Sequence, residues 1–232
     1  FNLFGDTVTL NKKFIEKFCD EVIKRKLDIR WLTNTRADTI CDLALVKKMK
    51  ESGCWMLSIG IESYNEKTRI NMQKKLETDK ITEAIGLLRK TGILSFGFFI
   101  YGYPGETEQD MYETTKFALS LPLDYANFYP AVPYPGTGFY NKCKKEGLLC
   151  CDSWDKMEYS SYIIKTKDLN GAIVKKAVSH AYLRFYLRPR FMIKHIMNVG
   201  LINFLSGFPK YSLKFLEKYI GENKKKRNNQ LL

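Results

Sequence analysis

Short apolar runs alternate with amphipathic stretches along the first 130 residues. Phe1–Phe4 is the first run. Asn11 then suits a helix N-cap, and Phe14, Phe18 and Val22 recur at i, i+4 and i+8 as one apolar helical face. Ile29–Thr33 reads as the next strand. A second helix carries Leu43, Val46 and Met49 and stops at Gly53. Trp55–Ile61 is a third strand, followed by a helix with Ile81, Ile85 and Leu88 that ends near Gly92. Ile93–Tyr101 is a fourth strand, and a helix starting near Thr107 carries Met111 and Ala118. Tyr125–Tyr129 is a fifth strand, after which Pro130, Pro133 and Pro135 break the pattern. The strand starts repeat at roughly 30 residues, the length of a strand plus a crossover helix, so parallel strands are expected. Periodicity alone admits either an open doubly wound sheet or a barrel.

The polar, Gly and Pro residues fall at the C-terminal end of each strand. Gly5-Asp6-Thr7 follows the first and Asn34-Thr35-Arg36 the second; Gly60-Ile61-Glu62-Ser63 closes the third. The fourth ends in Tyr101 through Thr107, the fifth in Pro130 through Gly136. In parallel α/β folds those ends share one face, where ligands bind. Asp6, Arg36, Glu62 and Glu106 are thus expected at one mouth. Each also has a plain structural use: Asp6 and Thr107 suit helix caps, and Arg36 could pair with Asp38. Glu62 stands apart, because a half-buried carboxylate at a strand end needs a partner or ligand to offset its desolvation. Gly102 and Gly105 bracket Pro104, which suits either a plain turn or close backbone approach to a flat ligand. That turn leads into a helix N-terminus, whose free N–H groups suit an acceptor atom or anion.

A length of 232 residues allows one large α/β domain, or a domain plus an appendage. The longest apolar stretch, Ile93 to Pro104, is too short for a membrane span and is interrupted by Ser95 and Gly97. No basic-then-apolar signal segment opens the chain, so the cytoplasm is the expected location. The net charge of +13 is uneven: residues 1–164 hold 23 Lys/Arg against 22 Asp/Glu, and residues 165–232 hold 15 against 3. The second part is a basic appendage, suited to RNA, an anionic membrane surface or an acidic partner, or simply a solvated surface. Of six cysteines only Cys143, Cys150 and Cys151 cluster, at a spacing that matches no common metal motif.

These strand-end motifs, in this order, resemble the radical S-adenosylmethionine superfamily, most closely its cobalamin-dependent branch. The resemblance rests on Phe4 through Asn11, Trp31 to Arg36, Ser58 through Ser63, Tyr101 through Thr107 and Pro133 through Thr137. Arg184 through Arg190 also resembles the helical extension of that branch. The resemblance implies an α/β fold, an incomplete (βα)6 partial TIM-type barrel with parallel strands and a C-terminal α-helical extension. It places a radical core over residues 1–150 and a basic helical extension over 151–232. It implies a 4Fe-4S cluster held by a CxxxCxxC loop, S-adenosylmethionine bound to that cluster, and cobalamin through a further N-terminal domain. By position, it assigns Asp6 and Thr7 to the methionine amino end, Glu62 and Ser63 to the ribose, and Ile100, Gly102, Pro104, Gly105 and Glu106 to the adenine flank. Arg36 is expected to bind a carboxylate or the substrate. The family shows two adjacent acids where only Asp6 follows Gly5 here.

No CxxxCxxC occurs in the 232 residues, and cluster ligation requires such thiolates. The expectation is therefore a fragment, inactive by itself, with Phe1–Phe4 as an exposed edge strand and the motif within about 50 residues upstream. Implied partners are an electron donor such as ferredoxin or flavodoxin and a small-molecule or lipid-like substrate. Two alternatives use the basic tail. Tyr182, Phe185, Tyr186 and Phe191 interleave with charges and could stack on RNA bases, or form the buried face of an amphipathic helix. Lys210, Lys214 and Lys218 form a stripe that could lie on anionic lipid at a peripheral membrane position. A non-catalytic binding scaffold is the remaining alternative.

Overall fold

The apolar runs form five strands of one sheet: β1 (Asn2–Leu3), β2 (Trp31–Thr35), β3 (Cys54–Glu62), β4 (Leu94–Tyr101) and β5 (Tyr125–Pro130). The computed structural model describes residues 1–3, 5, 7–150 and 162–199. Between the strands lie α1 (Lys12–Lys24), α2 (Leu43–Glu51), α3 (Glu66–Asn71), α4 (Thr78–Thr91) and α5 (Glu108–Ser120). After β5 come α6 (Gly138–Lys145), α7 (Gly171–Tyr186) and α8 (Pro189–Val199). Every neighbouring pair of strands is parallel, and their order in space is their order in sequence. A doubly wound sheet reverses direction at a switch point, whereas a barrel steps one way throughout. The sheet is therefore an arc of a barrel. Among the described residues β1 does not pair with β5, so the arc is open, as expected of an incomplete (βα)6 barrel.

Right-handed crossovers that all step one way place the helices on one face of the sheet. β4 shows the consequence. Ser95, Gly97, Phe99 and Tyr101 are buried, and the Tyr101 hydroxyl lies 2.9 Å from that of Thr115 on α5. Leu94, Phe96, Phe98 and Ile100 alternate with them on the opposite, less buried face. The helices begin and end where the residue types require. Asn11 accepts from Phe14 N at the start of α1, and Asp42 accepts from Ala44 N and Leu45 N at the start of α2. Gly92 closes α4 at φ +71°, and Thr107 opens α5 with a capping box completed by Asp110.

β2 starts two residues later than the apolar run suggests and extends through Asn34 and Thr35. The sequence places these polar residues after the strand, but the strand continues through them, and the threonine hydroxyls along it are satisfied by neighbouring segments. The Thr35 hydroxyl lies 2.6 Å from that of Thr9, and the Thr33 hydroxyl donates to Leu3 O at 2.8 Å. α3 was not expected at all: six residues are too few to show a helical period.

Two compact units divide the chain, residues 1–178 and 179–232. Within the second, Phe185 is buried, Tyr186 meets Phe185 and Phe191 edge-on at 5.1 and 4.9 Å, and the Arg188 guanidinium lies 3.6 Å over the Phe185 ring. These aromatic residues pack on one another. The lysine stripe at 210, 214 and 218 lies outside the described residues. Among the described residues no helix is long and apolar enough to cross a membrane.

The segment joining β3 to α4 is organised by a cation invisible to hydropathy. Arg69 on α3 is fully buried, with four donated bonds: to Leu76 O at 2.8 Å, Ser63 O at 2.7 Å, Tyr64 O at 2.8 Å and the Thr78 hydroxyl at 2.9 Å. Removing it strands three carbonyls in a dry interior, each an uncompensated desolvation. Arg69→Met is expected to lower unfolding free energy by about 3 kcal/mol or more, measured by urea denaturation. A loss below about 1 kcal/mol would show that these bonds do not hold the segment.

Candidate functional site

The C-terminal ends of β3 and β4 form the floor of a cleft of about 590 Å³. Its lining includes Arg36, Glu62, Lys74, Ile100, Tyr103 and Lys142. That volume falls within the roughly 300–1,000 Å³ typical of small-molecule sites. Glu62 closes β3 at a register shift against β4 and adopts φ +68°, a left-handed conformation costly for a residue with a side chain. Its carboxylate pairs with the Lys74 ammonium at 2.5 Å, and both side chains are largely buried. The pair lies over Gly60, where any Cβ would overlap the Lys74 ammonium. A side chain at position 60 would push the ends of the Lys74 and Glu62 side chains aside.

Arg36 lines the same cleft. Its guanidinium donates to both carboxylate oxygens of Asp38, at 3.0 and 2.8 Å, and to Lys75 O at 3.3 Å. The hydrogen bond to Asp38 raises its pKa further above the ordinary arginine value. The pairing with Asp38 and the place in the cleft both hold.

Glu106 points elsewhere. It is 1% exposed. One carboxylate oxygen accepts from Gly102 N and Tyr103 N at 2.9 and 3.1 Å, and the other accepts from the Ser63 hydroxyl at 2.9 Å. Ser63 is fully buried, and its hydroxyl lies 3.2 Å from that of Thr114 on α5. Glu106 thus ties the loop after β4 to the residue after Glu62. Gly102 adopts φ +78°, and a Cβ there would meet Val174 and Tyr162 at 2.7 and 2.8 Å, so neither backbone nor space admits another residue. Tyr162 donates its hydroxyl to Gly102 O at 2.9 Å and closes the loop from the other side.

Of the expected site residues, Arg36, Glu62 and Ile100 line the cleft. Ser63, Gly102 and Glu106 form the buried network beneath it, beside buried Pro104, while Gly105 is exposed. Thr7 precedes a short 3-10 turn at Val8–Leu10, and Asp6 lies outside the described residues. The sequence reading missed Lys74, Tyr103 and Lys142. The charge reversal from Glu62 to Lys74 across one short helix was the available signal for Lys74. Tyr103, within the fourth strand-end motif, was the signal for an aromatic wall.

Among the described residues no group of three or more His, Cys, Asp or Glu is placed to hold a metal ion. The described cysteines, Cys19, Cys41, Cys54, Cys143 and Cys150, are free thiols, and Cys151 lies outside the described residues. Burial raises the thiol pKa of Cys41 and of Cys143 to about 11, which opposes the thiolate form that binds metal. These residues do not fit a 4Fe-4S cluster. The cleft does fit an organic ligand carrying both polar and apolar parts.

An arc of parallel barrel with a ligand cleft at its strand C-termini defines a barrel enzyme core. The Radical SAM superfamily profile matches residues 1–118, just over half the chain, and the chain belongs to that family of enzymes, which use S-adenosylmethionine and a 4Fe-4S cluster. An uncharacterized methyltransferase of Pyrococcus horikoshii is 35% identical over 82% of this chain and 41% of its own length. The anaerobic magnesium-protoporphyrin IX monomethyl ester cyclase of Cereibacter sphaeroides is 30% identical over 81% of this chain and 31% of its own length. The chain thus spans well under half of either relative. The radical S-adenosylmethionine methyltransferase TsrM of Kitasatospora setae, solved with cobalamin and a [4Fe-4S] cluster, shares the fold at a TM-score of 0.57 and 14% identity, over 62% of this chain and 30% of TsrM.

Burial pushes the Glu106 carboxyl up to about 7, against the hydrogen bonds from Ser63, Tyr103 and Gly102 that favour its ionised form. A raised carboxyl binds its proton more tightly folded than unfolded. Its stabilising contribution is complete below the unfolded value near 4.5 and is lost as pH rises through about 7. Glu106→Gln removes the titration. Relative to that variant, the native chain is expected to lose up to about 3 kcal/mol of stability between these two limits, each pKa unit being worth ~1.4 kcal/mol. Urea unfolding of both proteins at intervals from acid to neutral pH measures it; parallel stability profiles would refute the assignment.

Proposed function

We propose that this chain supplies the S-adenosylmethionine side of a radical enzyme's active site, with the ligand lying in the cleft at the ends of β3 and β4. The supporting observation is Glu62, a carboxylate held at positive φ in a cleft it shares with Arg36, Lys74 and the apolar side chain of Ile100. A carboxylate in that position accepts hydrogen bonds from a ribose diol, while Ile100 gives an apolar face to a base. The buried network around Glu106 fixes the loop that bounds this space.

The chemistry that S-adenosylmethionine supplies in this family is a carbon-centred radical for hydrogen abstraction. The described residues offer no thiolate set, so on this reading the cluster is held by polypeptide beyond these 232 residues. We read the whole protein as acting on a small molecule by cobalamin-dependent methylation or cyclisation, fed by an external one-electron donor. The named activities of its relatives, a methyltransferase and a cyclase, support that reading, as does the cobalamin bound in TsrM.

The test is calorimetric titration of the chain with S-adenosylhomocysteine, which lacks the reactive sulfonium but keeps the amino acid, ribose and base. Glu62→Gln is expected to weaken binding roughly 10–100-fold, the equivalent of the ~1.5–3 kcal/mol that a hydrogen bond to a charged group contributes. Absence of binding to the native chain, or equal affinity in the variant, would overturn the proposal.

A further inference from the structure

The cleft is chemically two-sided, and one side has no evident task in holding a nucleoside. Its lining carries three cations, Arg36, Lys74 and Lys142, against the single acid Glu62. Arg36 is committed to Asp38 and Lys74 to Glu62. Lys142, on α6, has no carboxylate within 4.0 Å among the described residues. Its ammonium stands 5.9 Å from the ring centre of Tyr103. Tyr103 in turn stacks on Phe139, with centroids 4.7 Å apart and planes inclined by 19°.

This aromatic wall is fixed in place. The Tyr103 hydroxyl donates to Asn71 O at 3.0 Å, and its backbone N–H donates to buried Glu106. Tyr103, Ala131, Cys143 and Ile164 form a small core, against which Phe139, Met72 and Ile100 pack. A rigid wall of apolar and aromatic groups binds a flat apolar body at low entropic cost. The uncompensated ammonium beside it selects for an anion.

We propose that Lys142 is a specificity-determining residue that reads a carboxylate on a substrate with a planar, apolar body, and that the body lies along the Tyr103–Phe139 wall. The inference rests on the reading of the cleft as the S-adenosylmethionine site, because it assigns the substrate to the side of that cleft the nucleoside leaves over. Lys142 is exposed, so its pairing is screened and its effect modest; an exposed ion pair changes affinity by about fivefold or less.

The probe is 1-pyrenebutyrate, compared with its methyl ester by fluorescence titration of the chain. The two share the ring system and differ in the charge. The native chain is expected to prefer the acid by about fivefold. Lys142→Met should erase that preference while leaving the ester's affinity unchanged, and Lys142→Arg should retain it. S-adenosylhomocysteine affinity, measured in parallel, should be the same in all three proteins. Equal binding of acid and ester by the native chain, or a preference that survives in Lys142→Met, overturns the proposal. So does a selective loss of S-adenosylhomocysteine binding in Lys142→Met, which would assign the ammonium to the nucleoside's carboxylate. Failure of the native chain to bind S-adenosylhomocysteine, with the acid preference intact and dependent on Lys142, would sink the nucleoside reading alone and support a carboxylate site at Lys142.

Discussion

The buried grip on Ser63 is the constraint on which the cleft depends. Glu106 holds the Ser63 hydroxyl and Arg69 holds its carbonyl, and both ionisable groups are almost entirely removed from water. They do not pair with each other. Each is satisfied by a separate set of backbone and hydroxyl groups drawn from a different element. Glu106 brings in the Gly102–Tyr103 backbone after β4, and Arg69 brings in Tyr64, Leu76 and Thr78 from the connection to α4. Burying a charge this way is costly unless the surroundings supply its full complement of partners. The cost is justified by geometry: the ends of two strands and a short helix are held in one arrangement at the residue beside Glu62.

Charge is distributed around the cleft by the same logic. Pairing neutralises Arg36 and Lys74 where they meet, so the net positive character of the lining concentrates at Lys142. Lys142 is exposed, so it draws an entering anion through a screened and modest attraction. The opposite wall is apolar and rigid. Such an arrangement separates what orients a ligand from what supplies its contact area, as binding sites with a few placed polar groups generally do.

Much of the scaffold was legible in the sequence. The strands fall on the apolar runs because β2 to β5 each bury residues on the face beneath the helices. The open question between barrel and doubly wound sheet was one of spatial order, which periodicity does not encode. Asn34 and Thr35 were placed after the second strand, yet the strand runs through them, and the Thr35 hydroxyl is satisfied by Thr9 and Thr39, partners on other segments. The sequence placed Glu62 and Glu106 together at one mouth, two acids at successive strand ends. Only burial separates the one that faces the cleft from the one that holds the loop. Arg69 was invisible for the same reason: among many lysines and arginines, a hydropathy profile gives no sign of the one cation turned inward.

The backbone conformation of Glu62 is what sets it apart from an ordinary strand end. Three described residues other than glycine have positive φ: Lys26, Glu62 and Gln73. Lys26 follows the end of α1 and donates its N–H to Ile23 O; Gln73 follows α3 and donates to Ile70 O. Both are ordinary left-handed helix stops, where the conformation is set by the terminal carbonyls it satisfies. Glu62 ends a strand, so no helix terminus accounts for it. The conformation coincides with a register shift against β4 and with a lysine that reaches across the glycine two residues earlier to pair with the carboxylate. Strain that persists where the surroundings over-determine it points to a site. Here the over-determination is visible residue by residue, in the grip of Glu106 and Arg69 on the very next residue.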